Sequence, residues 1–241
     1  MLEKILFNSV ENLLQNKQKH KDKFKQTNQY EIFEAMLRKL NIKFEIFIKE
    51  LMRQLVENSD YEILAEFSGK KKFSISKFTN TLIENHILKA QIERNFDLPK
   101  EFNALKNAIL KDKTEGTIKT DHDIDLLFRD KNGQIYYTEI KYNDDHDTDK
   151  FVGLNRKIIK TYAYLVREFG VDIKPILFYF NNKRMKGNIY LPENECIYRG
   201  ERFFKEFLKF DYAALQRVFE NFAESNENLA KFNDLYRKIM K

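Results

Sequence analysis

An α/β domain with an N-terminal helical extension is the fold class that this 241-residue sequence predicts. Three observations predict it. Helical periodicity runs through residues 1–60. A strand–turn–strand signal in the middle of the chain leads into a basic helix and a buried strand. From Arg202 onward the spacing turns helical again.

Taken in order, YEIFEAMLRKLNIKFEIFIKELMRQLVEN places Ile32, Phe33, Met36, Leu37 and Leu40, then Phe44, Phe47, Ile48, Leu51 and Leu55, at three- and four-residue spacing, with lysines and glutamates between them. The polar stretch 19–29 is a joint ahead of this pair of helices. Another helix starts after Ser76 and lines up Phe78, Leu82, Ile83, Ile87, Leu88 and Ile92; it must stop before Pro99, whose ring pushes the preceding residue out of helical geometry. DIDLLFRD (123–130) and QIYYTEIKY (134–142) are strand-like runs on either side of Lys131-Asn132-Gly133, a hairpin signal. A polar, acid-rich loop (143–149) precedes KFVGLNRKIIKTYAYLVREFG, an amphipathic helix closed by Gly170. VDIKPILFYF then reads as a buried strand and ECIY (195–198) as a short one.

Composition narrows the function. Lys and Arg number 43 against 37 Asp and Glu, a net +6 that permits a polyanionic partner. A charged fraction of 33% and 42% apolar residues exclude a disordered chain, and no apolar run is long enough to span a bilayer. The single cysteine, Cys196, excludes a disulfide framework and a cysteine-built zinc site, and suits a reducing cytosol. The N-terminus lacks the features of an export signal, so a cytoplasmic protein is expected. Phosphate-loop, dinucleotide-binding and HExxH motifs are absent from the sequence.

The segregation of charge is the feature to explain. Asp121 to Asp149 holds nine acids against Arg129, Lys131 and Lys141, while the next eleven residues hold Lys150, Arg156, Lys157 and Lys160 and no acid. Crowded carboxylates need solvent, a proton or a cation, and hard oxygen ligands suit Mg²⁺ or Mn²⁺. The loop 143–149 fits a solvated surface as well as it fits a site, but Asp123, Asp125 and Glu139 sit inside apolar strand runs. A two-residue Asn132-Gly133 turn would set Asp125 opposite Ile140, on the wrong face. A three-residue loop with Gly133 left-handed sets Asp125 opposite Glu139 and Asp123 opposite Lys141, near enough to share one cation. His122 and His146, flanked by aspartates, are further candidates as ligands or proton carriers.

An aspartate at the head of an apolar strand, a hairpin, and Glu-x-Lys in the partner strand resemble the PD-(D/E)XK nuclease superfamily. The helix-rich surround and the following basic helix resemble its type II restriction endonucleases. The likeness spans residues 77–200 and is strongest in DIDLLF and YYTEIKY. A second acid-x-Lys triplet, at 172–174, runs into Pro175. No proline precedes Asp123 or Asp125, which leaves both open as the family aspartate; Asp125 is preferred because Leu-Leu-Phe follows it.

The resemblance implies a restriction-endonuclease-like mixed β-sheet core flanked by helices, with residues 1–75 as an N-terminal helical region serving as interface or DNA clamp and 76–241 as the catalytic domain. It implies Asp125, Glu139 and Lys141 as catalytic residues. Mg²⁺, replaceable by Mn²⁺, would be held by Asp125, Glu139 and the carbonyl of Ile140, with Asp123 as a second ligand or a partner for Lys141. Glu84, or else Glu93, would stand in for the glutamate that many members add from the preceding helix. Lys150, Asn155, Arg156, Lys157 and Lys160 would meet the DNA backbone, and the basic stretch 181–188 could reach a groove. The function implied is site-specific cleavage of double-stranded DNA by a homodimer with a cognate DNA methyltransferase; a structure-specific resolvase or repair nuclease, and a non-catalytic DNA-binding module, are the alternatives.

Overall fold

The computed structural model describes residues 44–145 and 147–226. Its elements are helix α1 (44–57), β1 (Glu62–Ile63), a 3₁₀ turn (Ala65–Phe67), β2 (Gly69–Ile75), α2 (Lys77–Ile92), α3 (Leu98–Lys111), β3 (Ile118–Ile124), β4 (Leu126–Arg129) and β5 (Ile135–Lys141). After these come α4 (Thr148–Phe169), β6 (Ile173–Tyr179), α5 (Glu193–Cys196), β7 (Ile197–Arg199), α6 (Gly200–Phe207) and α7 (Tyr212–Glu224).

The central sheet has the order β1-β4-β5-β6-β7. Its β1–β4 and β4–β5 pairs are antiparallel and its β5–β6 and β6–β7 pairs parallel, so the sheet is mixed. Both faces are covered, which explains why β6 runs apolar from Pro175 to Tyr179 rather than alternating. On one face Leu127, Tyr137, Ile173 and Leu177 join side chains of α2, α3 and α4. On the other, Leu126, Phe128, Ile140, Ile176 and Phe178 meet Phe47, Ile48, Leu51 and Leu55 of α1 and Phe203, Phe204 and Phe207 of α6. Even and odd residues thus serve opposite layers, as the pleat demands. Burial of α1's apolar stripe makes it a layer of the domain. Residues 62–75, inside the expected helical region, form β1 and β2 instead, because a short edge strand and a ribbon satisfy their backbones. The apolar positions from Ile32 to Leu40 lie outside the described residues.

The hairpin has the three-residue loop. Arg129 pairs with Ile135 and Leu126 with Thr138, Gly133 stands at φ +84°, and the Asp130 carboxylate accepts from the N–H groups of Asn132 and Gln134. What differs is the strand ahead of it. The run expected as one strand is divided at Asp125: β3 pairs with β2 in a separate antiparallel ribbon, and only β4 joins the central sheet. Asp123 therefore stands opposite Lys70, not opposite Lys141.

Helix ends follow local chemistry. Ser76, Asp97, Asp147 and Asp211 each accept a backbone N–H two or three residues into a helix, and Gly170 closes α4 at φ +68°. Helix α3, to which the sequence pattern assigns no element, starts on Asp97 with Pro99 in its first turn and buries Phe102, Leu105 and Ile109.

Candidate active site

The site lies where β4 ends beside β5. Leu126↔Thr138 is the last ladder pair, and beyond it the Asp125 side chain takes over the pairing: its Oδ2 accepts the N–H of Ile140 at 2.9 Å. The same register puts Asp125 across from Glu139. The carbonyl of Ile140 points to the edge its N–H points to, the edge that β4 has vacated.

Both carboxylates are buried, with side-chain exposures of 0% for Asp125 and 1% for Glu139. Three ammonium groups surround them. Lys49, from α1, meets Asp125 Oδ1 at 2.5 Å. Lys141 reaches Glu139 Oε1 at 3.0 Å. Lys157, from α4, donates to both Glu139 oxygens at 2.8 and 2.7 Å. Tyr137 O–H, fully buried, adds a hydrogen bond to Oε2 at 3.3 Å.

Burial, reinforced by the Glu139 charge, pushes the Asp125 carboxyl above the usual carboxylate range. Burial presses Glu139 the same way, but Lys141 and Lys157 outweigh it and hold Glu139 ionised. Burial opposes the charge on Lys141, while Glu139, Asp125 and then Glu45 of α1 more than compensate, so its ammonium is retained. Two buried carboxylates that have collected cations from three separate elements are hard oxygen donors of the kind a divalent ion takes, and Asp125, Glu139 and the Ile140 carbonyl are the groups that could hold one here.

Not every expected residue joins them. Among the described residues no group of three or more acidic, histidine or cysteine side chains is close enough to hold a metal. Glu84 lies on α2, but it is tied to α4 through Arg156 Nε at 3.0 Å and Lys160 Nζ at 2.8 Å, which hold its carboxyl below the usual range against the opposing effect of burial. Asp123 is carried away by the ribbon. His146 and the side chain of His122 lie outside the described residues.

The basic helix also departs from expectation. Lys157 turns inward to Glu139, Arg156 and Lys160 grip Glu84, and Lys150 is exposed beside Asp147 at 2.9 Å. Asn155, expected beside the DNA backbone, is fully buried here, donating to Phe151 O and accepting from Asn188.

In the acidic loop, Asp144 is buried at 1% side-chain exposure and accepts from the N–H groups of Met185 and Lys186 and from Arg199, while its neighbour Asp145 is exposed. Sequence reasoning missed Lys49 and the inward turn of Lys157. Lys49 shares its spacing with every other polar position of an amphipathic helix and carries no local signal.

Comparison with known proteins finds a family and a relative. A family model described as the type II restriction endonuclease HinfI matches residues 1–223. The type II restriction enzyme HinfI of Haemophilus influenzae is 51% identical over 216 residues, covering 88% of this chain and 82% of that enzyme.

Proposed function

The chain belongs to the HinfI family of type II restriction endonucleases, site-specific enzymes that cleave DNA, and we propose that Asp125, Glu139 and Lys141 are its catalytic residues. The observation that carries this reading is the register of the hairpin: two buried carboxylates from neighbouring strands, side by side, with Lys141 on the second one. Family membership sets aside the resolvase, repair and non-catalytic alternatives.

Enzymes of this kind generally use a divalent metal; here Mg²⁺, with Mn²⁺ able to replace it, would be held by Asp125, Glu139 and the Ile140 carbonyl. The bound ion supplies Lewis acidity for the phosphate and for an attacking water. Lys141, kept cationic by its carboxylate neighbours, orients that water by hydrogen bonding and offsets charge on the phosphate. A lysine held in its charged form has no free lone pair, so its part is positional and electrostatic rather than that of a base. Ile140 N–H fixes the Asp125 carboxylate by donating to Oδ2, leaving Oδ1 directed at Lys49.

The backbone of double-stranded DNA would run along α4, with Lys150, Arg156 and Lys160 exchanging Asp147 and Glu84 for phosphates. Those carboxylates are 58% and 39% exposed, so the contacts they give up are weak ones. Cutting both strands of a twofold target suits a homodimer. A cognate methyltransferase would protect host DNA in the cytoplasm.

The test is an incubation of plasmid with Mg²⁺. Discrete fragments are expected from the native chain and none from Asp125→Asn, Glu139→Gln or Lys141→Ala. Light scattering on the DNA complex should give two chains per duplex. Cleavage by Glu139→Gln at the native rate would overturn the assignment.

A further inference from the structure

Six consecutive residues, Asn182, Lys183, Arg184, Met185, Lys186 and Gly187, are exposed. They carry three cations and no acid. A solvated connection of this composition needs no support, yet this one is fastened at its start, middle and end.

At its start, Phe180 and Asn181 donate their N–H groups to the carbonyls of Lys141 and Tyr142, both at 2.8 Å, so the loop leaves the sheet directly beside Lys141. In its middle, Asp144 accepts the N–H groups of Met185 at 2.9 Å and Lys186 at 3.1 Å, and Arg199 bonds Asp144 at 2.9 Å and the Lys186 carbonyl at 3.1 Å. At its end Asn188 is buried. Its oxygen accepts from Tyr190 and Leu191, its N–H donates to Glu193, and its amide nitrogen donates to Asn155 of α4 at 2.8 Å.

Burying Asp144, Asn155 and Asn188 costs free energy that only full pairing offsets, and what that pairing secures is one backbone shape for a row of outward-facing cations. Fixing a loop before binding removes the ordering cost that a flexible basic segment meets on contact.

We propose that residues 182–187 form a prefolded DNA-backbone-binding element in which Lys183 and Arg184 neutralise phosphates next to the bond that is cut. The placement next to the cut rests on the reading of Asp125, Glu139 and Lys141 as the catalytic residues. Among the described residues the carboxylate paired with Arg184 is Glu193, at 3.8 Å, and Arg184 is 62% exposed.

The test measures binding of a duplex carrying a site mapped from native cleavage, with Ca²⁺ present, between about 50 and 200 mM salt, the range over which phosphate neutralisation registers. The plot of log affinity against log salt should flatten by about 2 for the double variant Lys183→Gln/Arg184→Gln, since each phosphate left without its cation removes about 0.9 from the slope. Lys131→Gln, in the hairpin loop at the opposite end of β5, should leave the slope unchanged. An unchanged thermal midpoint for the double variant shows that the fold is kept. A native slope in the double variant overturns the proposal, and so does altered sequence discrimination without a change of slope. Neither result touches the catalytic assignment, which fails separately if Glu139→Gln still cleaves.

Discussion

Replacing Lys157 by methionine should make the protein bind a divalent ion more tightly. Charge decides the direction. Two buried carboxylates face three ammonium groups, Lys49, Lys141 and Lys157, so a dication added without loss would leave a large positive excess in a site with little solvent. One ammonium must give way, and Lys157 is the one that covers both oxygens of Glu139. A pair of unit charges about 4 Å apart at an effective dielectric of about 20 interacts by about 4 kcal/mol. Lys157 is 24% exposed and shares Glu139 with Lys141, so screening brings the competition nearer to about 1.4 kcal/mol, or about tenfold in metal affinity. Methionine keeps the apolar stem and removes the charge. Without metal the variant should be less stable, because Glu139 loses a partner; saturating Mn²⁺ should then raise its Tm by about 3–6 °C more than it raises the native Tm. Mn²⁺ titration of the DNA-free protein, by electron paramagnetic resonance or calorimetry, reads the affinity directly. Equal or weaker binding by Lys157→Met would refute this competition and make Lys157 a structural partner of Glu139.

Asp144→Asn breaks a buried pair and leaves Arg199 with Glu193 alone for carboxylate company. The expected loss is about 3 kcal/mol, a fall in Tm of about 6–12 °C for a chain of this size, measured by calorimetry; a loss under about 1 kcal/mol would show that the loop does not depend on this anchor. His86, 5% exposed and bonded through Nε2 to the Tyr190 carbonyl, is held below its ordinary pKa of 6.5 chiefly by burial. The unfolded chain therefore takes up a proton first: stability is complete above pH 6.5 and declines as pH falls through that value. Thermal midpoints between about pH 7 and 5 should fall in the native protein and fall less in His86→Gln.

The sequence carried the parts of the site that local chemistry dictates. Asn132-Gly133 marked the turn but by itself favours the two-residue form; the need for two carboxylates on one face selected the three-residue loop, and with it the pairing of Asp125 with Glu139. Gly170 marked the end of α4 in the same way. The rest depends on contacts between distant segments. Lys49 is a polar position on an amphipathic helix until that helix docks on the sheet. Asp144 and Asp145 are indistinguishable until Arg199 and the 182–187 loop arrive. Strands β2 and β3, with Lys70, Lys71 and Lys72 against Asp121 and Asp123, lack the apolar alternation that advertises a strand, and their pairing is what carries Asp123 away from Lys141. Helix α3 did have a local signal, since Asp97 ahead of Pro99 is a helix start as well as a stop for what precedes it.

That Asp125 and Glu139 together grip one divalent ion is tested most directly by soaking crystals in Mn²⁺. An anomalous-scattering peak is expected between the two carboxylates, with the Lys157 ammonium drawn off Glu139. Density in which both carboxylates keep their lysines and no peak lies between them would contradict it.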